Sequence, residues 1–139
     1  MKGITFPSCI IEELVFRPGF IGMGQRRIFD DAGWKGDSLH DAQKVGSNYD
    51  MYAAPPDKKV KPAGEWNTSR IIYDNGHVIQ YLNGVKTVDF EEGSADYQQR
   101  YKKSKWPGYP SWNKYKSGSI ALQDHGAGVY FRNIKIKEL

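Results

Sequence analysis

The sequence predicts an all-β protein, a sandwich or jelly roll built as a single domain over residues 1–139. Three observations predict it. Short alternating segments rich in β-branched and aromatic residues fill the second half, as in Asn67–Tyr73 and His77–Leu82. Asn83-Gly84 joins two such segments and is a strong hairpin signal, because a type I′ turn needs positive φ at both central residues. Heptads are absent and the 15 glycines follow no strict period, which excludes coiled coil and collagen.

The elements follow in order. Ile4–Phe6 and Ile10–Phe16 read as strands, the second interrupted by Glu12 and Glu13. Arg26–Phe29 reads as another, ending at Asp30-Asp31. Asp31–Ala63 is long, polar and rich in Gly, Asp and Pro, with a short strand expected over Tyr49–Ala54. A connection of that length inside a small domain is expected to be functional or anchored by its own side chains. The segments Asn67–Tyr73, His77–Leu82 and Val85–Phe90 form a meander through turns at Asp74-Asn75-Gly76 and Asn83-Gly84. Ser94 can cap a helix over Ala95–Ser104, which Trp106-Pro107-Gly108-Tyr109-Pro110 ends. Strands resume at Ser119–Gln123 and Val129–Lys137. In the last of these Val129 and Phe131 share a face, and Ile134 and Ile136 carry the apolar face on, so a slip or bulge is expected near Asn133.

Composition narrows the function. With 39% hydrophobic and 26% charged residues the chain is neither disordered nor membrane-spanning, and no apolar run nears the roughly 20 residues a span requires. The N-terminus carries no signal-peptide pattern. Cys9 alone excludes an internal disulfide and a multi-cysteine zinc site, and reads as a buried inert thiol. The net charge of +4 is uneven, with Arg100, Lys102, Lys103, Lys105, Lys114 and Lys116 interleaved with Tyr101, Trp106, Tyr109, Trp112 and Tyr115. No nucleic-acid motif accompanies them, so the stretch reads as a solvated loop whose aromatics pack on the body, and no nucleic acid is expected as a partner. The catalytic serine elbow, the phosphate loop, the dinucleotide fingerprint and the zinc-protease helix are all missing, and no organic cofactor is expected.

Two segments carry a family likeness. One is Gly64-Glu65-Trp66-Asn67 followed by the Asn83-Gly84 hairpin. The other is Gly118-Ser119-Ile120-Ala121-Leu122-Gln123-Asp124-His125-Gly126 followed by Val129-Tyr130-Phe131-Arg132-Asn133-Ile134. Together they resemble the 3-keto-disaccharide hydrolase family, over about residues 17–139 and most specifically in the last 75. Residues 1–24 are diverged or truncated relative to that family. The resemblance implies a concanavalin A-like jelly roll acting on an oligosaccharide or glycoside. It also implies a periplasmic or extracellular bacterial setting, without a membrane partner. Missing upstream strands would leave sheet edges open to pairing with a second copy as a homodimer.

A 3-keto-glycoside suits enzymatic cleavage because the C3 carbonyl acidifies the hydrogen on C2. A site for it needs a base, an acid for the leaving oxygen and a positive group or metal on the enolate oxygen. His125 is the acid–base candidate, since its ordinary pKa lies near neutrality and it follows a strand among glycines; the alternative is a turn histidine bonding backbone. Arg132 and Gln123 are candidates to hold sugar or enolate oxygens, against readings as a surface ion pair and a sheet-face amide. Asp30 and Asp31 offer hard oxygens for Ca2+ or Mg2+ or for sugar hydroxyls, against strand-end turn chemistry; neighbours in a strand point oppositely, so one of them would serve. By the resemblance Gln25 and Arg27 are substrate-binding positions, and Gln25 stands where the family carries an acid. That departure favours the alternative, a non-catalytic lectin-like sugar-binding module. Tyr49, Tyr52, Trp34, Trp106 and Trp112 are candidate stacking platforms for pyranose rings. Trp66 reads as core, Asn67 as structural and His77 as exposed.

Overall fold

The computed structural model describes residues 8–17, 31, 38–114, 122 and 130–139, with backbone alone for 8–17. Among these residues six strands form one antiparallel sheet: β1 (Ser8–Arg17), β2 (Asn67–Asp74), β3 (His77–Leu82), β4 (Val85–Glu91), β5 (Tyr130–Arg132) and β6 (Ile136–Glu138). The order is β4-β3-β2-β1-β5, and β6 also pairs β1. The all-β class holds, with one α-helix among the described residues, α1 (Ala95–Lys103). Among the described residues no helix is long and apolar enough to cross a membrane.

The meander β2–β3–β4 forms where the sequence places it. Both connections put two residues in the left-handed region, Asn75 and Gly76 at φ 47° and 99°, Asn83 and Gly84 at 49° and 81°. Asn and Gly tolerate that region, and the resulting turn twist matches that of the flanking strands. β1, by contrast, reaches the sheet interior, between β2 and the C-terminal strands, from a distant part of the chain. It pairs β2 with Cys9 opposite Tyr73 and Phe16 opposite Asn67, and it slips by one residue between Ile11 and Leu14, where the two glutamates interrupt the apolar run. On its other side Val15 faces Arg132 and Ile11 faces Ile136. The expected C-terminal strand is therefore two short ones, broken at Asn133, whose φ is 55°. Ile134 and Ile136 do not continue a buried face; both are exposed.

One face of the meander is buried. It presents Ser69, Val78, Gln80, Leu82, Thr87, Val88 and Phe90, all buried, with Ile71 and Tyr73 packed beside them. Thr87 and Val88 are both inward because the β3–β4 register shifts at that point. Residues 45–54, α1 and the 3-10 turn Trp106–Gly108 cover this face. Tyr52 stacks on Phe90 at 4.6 Å, Phe90 on Tyr97 at 5.8 Å and Trp106 on Trp112 at 3.6 Å. A smaller cluster of Val45 and Leu82, with Leu39 and Phe131 against it, closes the other end. Ser94 caps α1 by accepting a hydrogen bond from Tyr97 N at 3.1 Å, and Asp96 near its start and basic residues near its end suit the helix dipole.

The expected strand over Tyr49–Ala54 is instead a tight turn closed by an Asn48–Tyr52 bridge. Asp50 has φ 64°, and its Oδ2 accepts Lys105 N at 2.7 Å. A strand could not place that carboxylate beside the 3-10 turn. The long connection is anchored by side chains, as its length demands. Ser47 Oγ accepts Ala54 N and donates to Asp41 O, Trp106 Nε1 donates to Tyr49 O, and Asn83 Nδ2 donates to Lys59 O.

Candidate functional site

Strand alternation defines the second face. Asn67 points inward and is fully buried, so Thr68 and Arg70 point outward, and both are exposed. Val15 pairs with Thr68 on one side and Arg132 on the other, which puts Arg132 on the same outward face. Tyr130, two residues before it, shares that face and is 61% exposed. Phe131, between them, packs inward on the Val45–Leu82 cluster.

Trp66 is brought to this face by its neighbour. The Asn67 amide is the hub of the preceding loop. Its Oδ1 accepts Lys61 N at 2.8 Å and Asn83 Nδ2 at 2.7 Å, and its Nδ2 donates to Lys61 O at 3.3 Å and Glu65 O at 3.4 Å. Trp66 is half-buried, and the Arg132 guanidinium lies over its ring, 4.0 Å from Cζ to centroid. The indole is therefore a platform under a cation, a role its reading as core does not capture. Among the described residues no carboxylate pairs with Arg132.

Farther across the same sheet, β3 and β4 assemble a second polar group. His77 Nε2 lies 2.8 Å from Asp89 Oδ1, and Lys86 Nζ lies 2.8 Å from Asp89 Oδ2. The lysine first and the histidine second hold the Asp89 carboxyl below its ordinary range. Arg70 lies over Tyr81, its cross-strand partner, at 5.9 Å. The sequence places His77 at a strand start without indicating its partner, because Asp89 meets it only once the β3–β4 register is set. A similar pair joins the covering segment: His40 Nε2 lies 3.0 Å from Asp50 Oδ1.

Of the residues the sequence nominates, His125, Gln123, Gln25, Arg27, Asp30 and Trp34 lie outside the described residues. Asp31, Tyr49, Tyr52, Trp106, Trp112 and Arg132 are described. Tyr52 is corrected from a sugar platform to a core residue. It is 8% exposed, with Phe90 stacked on its ring and the Arg100 guanidinium 4.5 Å away, so no face is open to a sugar. Burial first, with the Asp96 carboxylate adding to it, pushes its phenol well above the ordinary tyrosine value. Tyr49 is covered by Lys105, whose Nζ lies 4.5 Å from its ring and 4.7 Å from that of Trp106. Trp106 and Trp112 cover one another. Asp31 is committed to the fold: Oδ1 accepts Val45 N at 2.9 Å and Oδ2 faces Lys58 Nζ at 3.4 Å. A nearby ammonium disfavours a cation there, and no group of three or more His, Cys, Asp or Glu suited to a metal occurs among the described residues.

Comparison with known proteins gives this geometry a context. Residues 23–137 match the family model described as the 3-keto-alpha-glucoside-1,2-lyase-like domain. A 3-keto-disaccharide hydrolase of Bacteroides thetaiotaomicron is 28% identical over 137 residues, covering 90% of this chain and 47% of that protein. The chain thus spans about half the length of the curated relative it matches. A crystal structure of a candidate glycosyl hydrolase from Parabacteroides distasonis superposes with a TM-score of 0.85 at 32% identity, covering 96% of this chain and 73% of that one. Another candidate glycosyl hydrolase from the same organism gives 0.61 at 21% identity, with 96% and 79% covered, a likeness of fold alone.

Proposed function

The chain belongs to the 3-keto-alpha-glucoside-1,2-lyase-like domain family, and from that premise we propose that it acts on 3-keto-glycosides or 3-keto-disaccharides, cleaving the glycosidic bond on a concanavalin A-like jelly roll. The family match over residues 23–137 is the observation that carries this reading. The chemistry follows from the substrate. A base removes the C2 proton, and the electron pair moves into the C2–C3 bond and onto the C3 oxygen. The enolate then re-forms its carbonyl and expels the C1 oxygen, which takes up a proton. Water adds to the resulting enone and yields the free 3-keto sugar. Direct hydrolysis at C1 is the other route to the same products.

Each residue has a stated task. Arg132 faces outward on the second face of the sheet and supplies positive charge to the C3 oxygen as it becomes an enolate. His125 exchanges the protons. Gln123, Gln25 and Arg27 hold hydroxyls. Tyr130, exposed beside Arg132, offers a ring on which a pyranose C–H face can pack. The family resemblance supports a periplasmic or extracellular setting for this activity.

Release of aglycone from a 3-keto-glucoside, with and without chelator, tests the proposal. Turnover that falls by orders of magnitude in His125→Ala supports it. Loss on chelation would add a divalent cation, which the hard oxygens of Asp30 could help to hold. The second reading, a sugar-binding module on the same fold, draws support from Gln25 standing where an acid is expected and from exposed Tyr130. It predicts sugar binding without turnover in a chain that melts cooperatively.

A further inference from the structure

We infer that Trp66 is a positioning residue: its indole holds the Arg132 guanidinium flat so that the N–H edge of the fork, unpaired among the described residues, meets an anionic oxygen on the bound sugar. The inference rests on the reading of this chain as acting on 3-keto-glycosides.

The protein contains its own control. Arg100 also lies over an aromatic ring, that of Tyr52, at 4.5 Å. Its edge, however, is spent. Nε donates to both Asp96 carboxylate oxygens at 3.0 and 2.9 Å, and the Nη1 atom donates to Met51 O at 3.1 Å. Arg100 is thereby a structural clamp between α1 and the covering segment. Arg132 has the same stacking partner chemistry and a shorter distance, 4.0 Å, without a carboxylate among the described residues. A guanidinium carries its five N–H donors in the molecular plane, so a ring beneath it orients the fork without consuming a donor. An oriented guanidinium with an open edge fits an oxygen that gains negative charge, which is what the C3 oxygen of a 3-keto sugar does on losing the C2 proton.

The platform is rigid by construction. Trp66 precedes Asn67, whose fully buried amide makes four hydrogen bonds to the loop and to the Asn83 turn. Gly64, at φ 92°, turns the chain into this position. Because Arg132 covers the indole, Trp66 does not itself serve as the sugar platform on that face. Its contribution passes through the arginine, and it follows that Trp66→Phe, which keeps a ring, and Trp66→Leu, which keeps bulk alone, separate positioning from packing.

The test measures kcat and KM for a 3-keto-glucoside, and calorimetric binding of 3-keto-glucose, in the wild-type chain and in Arg132→Met, Arg132→Lys, Trp66→Leu, Trp66→Phe and Trp66→Leu/Arg132→Met. Each variant is first shown to melt cooperatively. The expected result is a kcat loss of about a hundredfold in both Trp66→Leu and Arg132→Met, a double variant no worse than either single, and substantial recovery in Trp66→Phe. Arg132→Lys should behave like Arg132→Met, since an ammonium has no fork. Emission should shift in Arg132→Met but not when Trp66 is already Phe, reporting the stack without reference to activity. Additive losses, or a Trp66→Leu that unfolds together with a Trp66→Phe no better than Arg132→Met, overturn the inference. Absence of turnover with 3-keto-glucose binding lost in both single variants sinks the lyase reading and sustains the Trp66–Arg132 pair as a sugar-oxygen site. A wild-type chain that neither binds nor turns over these sugars overturns both.

Discussion

Replacing Asn67 by Ala should cost the fold more than any surface-facing change in the same loop. The side chain is fully buried and makes four hydrogen bonds, at 2.7, 2.8, 3.3 and 3.4 Å. At about 1 kcal/mol for each of the two short bonds and about half that for the two long ones, the loss is about 3 kcal/mol. Lys61 and Glu65 lie at the exposed loop, so water can recover part of what their backbone groups lose; about 2–3 kcal/mol remains. For 139 residues an unfolding entropy of about 2.1 cal/mol/K per residue converts this to a fall in Tm of about 7–10 °C. Calorimetry at neutral pH, with urea denaturation to check an unchanged m, measures it. Asn67→Asp is the sharper probe. It keeps the acceptor for Lys61 N and Asn83 Nδ2 but turns a carboxylate toward the Lys61 and Glu65 carbonyls, so it should lose at least half as much stability as Ala. A fall below about 2 °C in Asn67→Ala would refute the reasoning, because it would mean that water replaces the whole hub at little cost.

Three further outcomes follow from the described contacts. Gly46→Ala should destabilise more than Gly84→Ala: both glycines have φ near 80°, but a Cβ on Gly46 meets Leu82 and Thr87 at 3.3 Å whereas one on Gly84 meets nothing. The expectation is about 1 kcal/mol for the strained backbone alone at Gly84 and about 2–3 kcal/mol at Gly46, read from urea midpoints; equal midpoints would count against the packing of residues 45–54 on the sheet. Tyr52, whose phenol is pushed upward by burial and by Asp96, binds its proton more tightly folded than unfolded. Its contribution is complete below the ordinary tyrosine value of 10.0 and is lost as pH rises beyond it, so Tm should fall above about pH 10 and Tyr52→Phe should flatten that limb. Asp89 is shifted the other way by Lys86 and His77. Its contribution is present above 3.8 and is lost as pH falls through the lowered folded value, so His77→Ala should move the Asp89 carboxyl titration upward when followed by NMR, with little change in Tm because the group is exposed. No upward movement would mean that His77 and Asp89 do not pair in solution.

The parts of this protein that were legible in its sequence are those whose cause is local. Asn75-Gly76 and Asn83-Gly84 adopt left-handed turns whatever lies around them, and each brings two alternating segments into register within a few residues. Ser94 meets its own Tyr97 N–H three residues on, so α1 begins where the sequence places it. Asn133 breaks the last strand where the apolar alternation slips. The family likeness is local in the same sense, carried by two continuous stretches of chain.

What tertiary structure decided is which distant groups meet. Tyr49–Ala54 is bent locally, with Met51 N and Tyr52 N both donating to Asn48 O, but what the bend is for, the Asp50 carboxylate accepting Lys105 N from 55 residues away, exists only in the folded chain. Tyr49 and Tyr52 are alike as aromatics, yet Tyr52 lies in the core and Tyr49 under Lys105, since alternation in a segment without strand geometry assigns no face. β1 lies between β2 and the C-terminal strands although it is the first strand in order among the described residues, and its position fixes the face that Arg132 occupies. Arg132 and Trp66, half the chain apart, become one unit only across that strand. Turn and cap preferences act over a few bonds and are written in the residue order. The placement of a guanidinium on an indole depends on strand order and register, which are set by burying one face of the whole sheet at once.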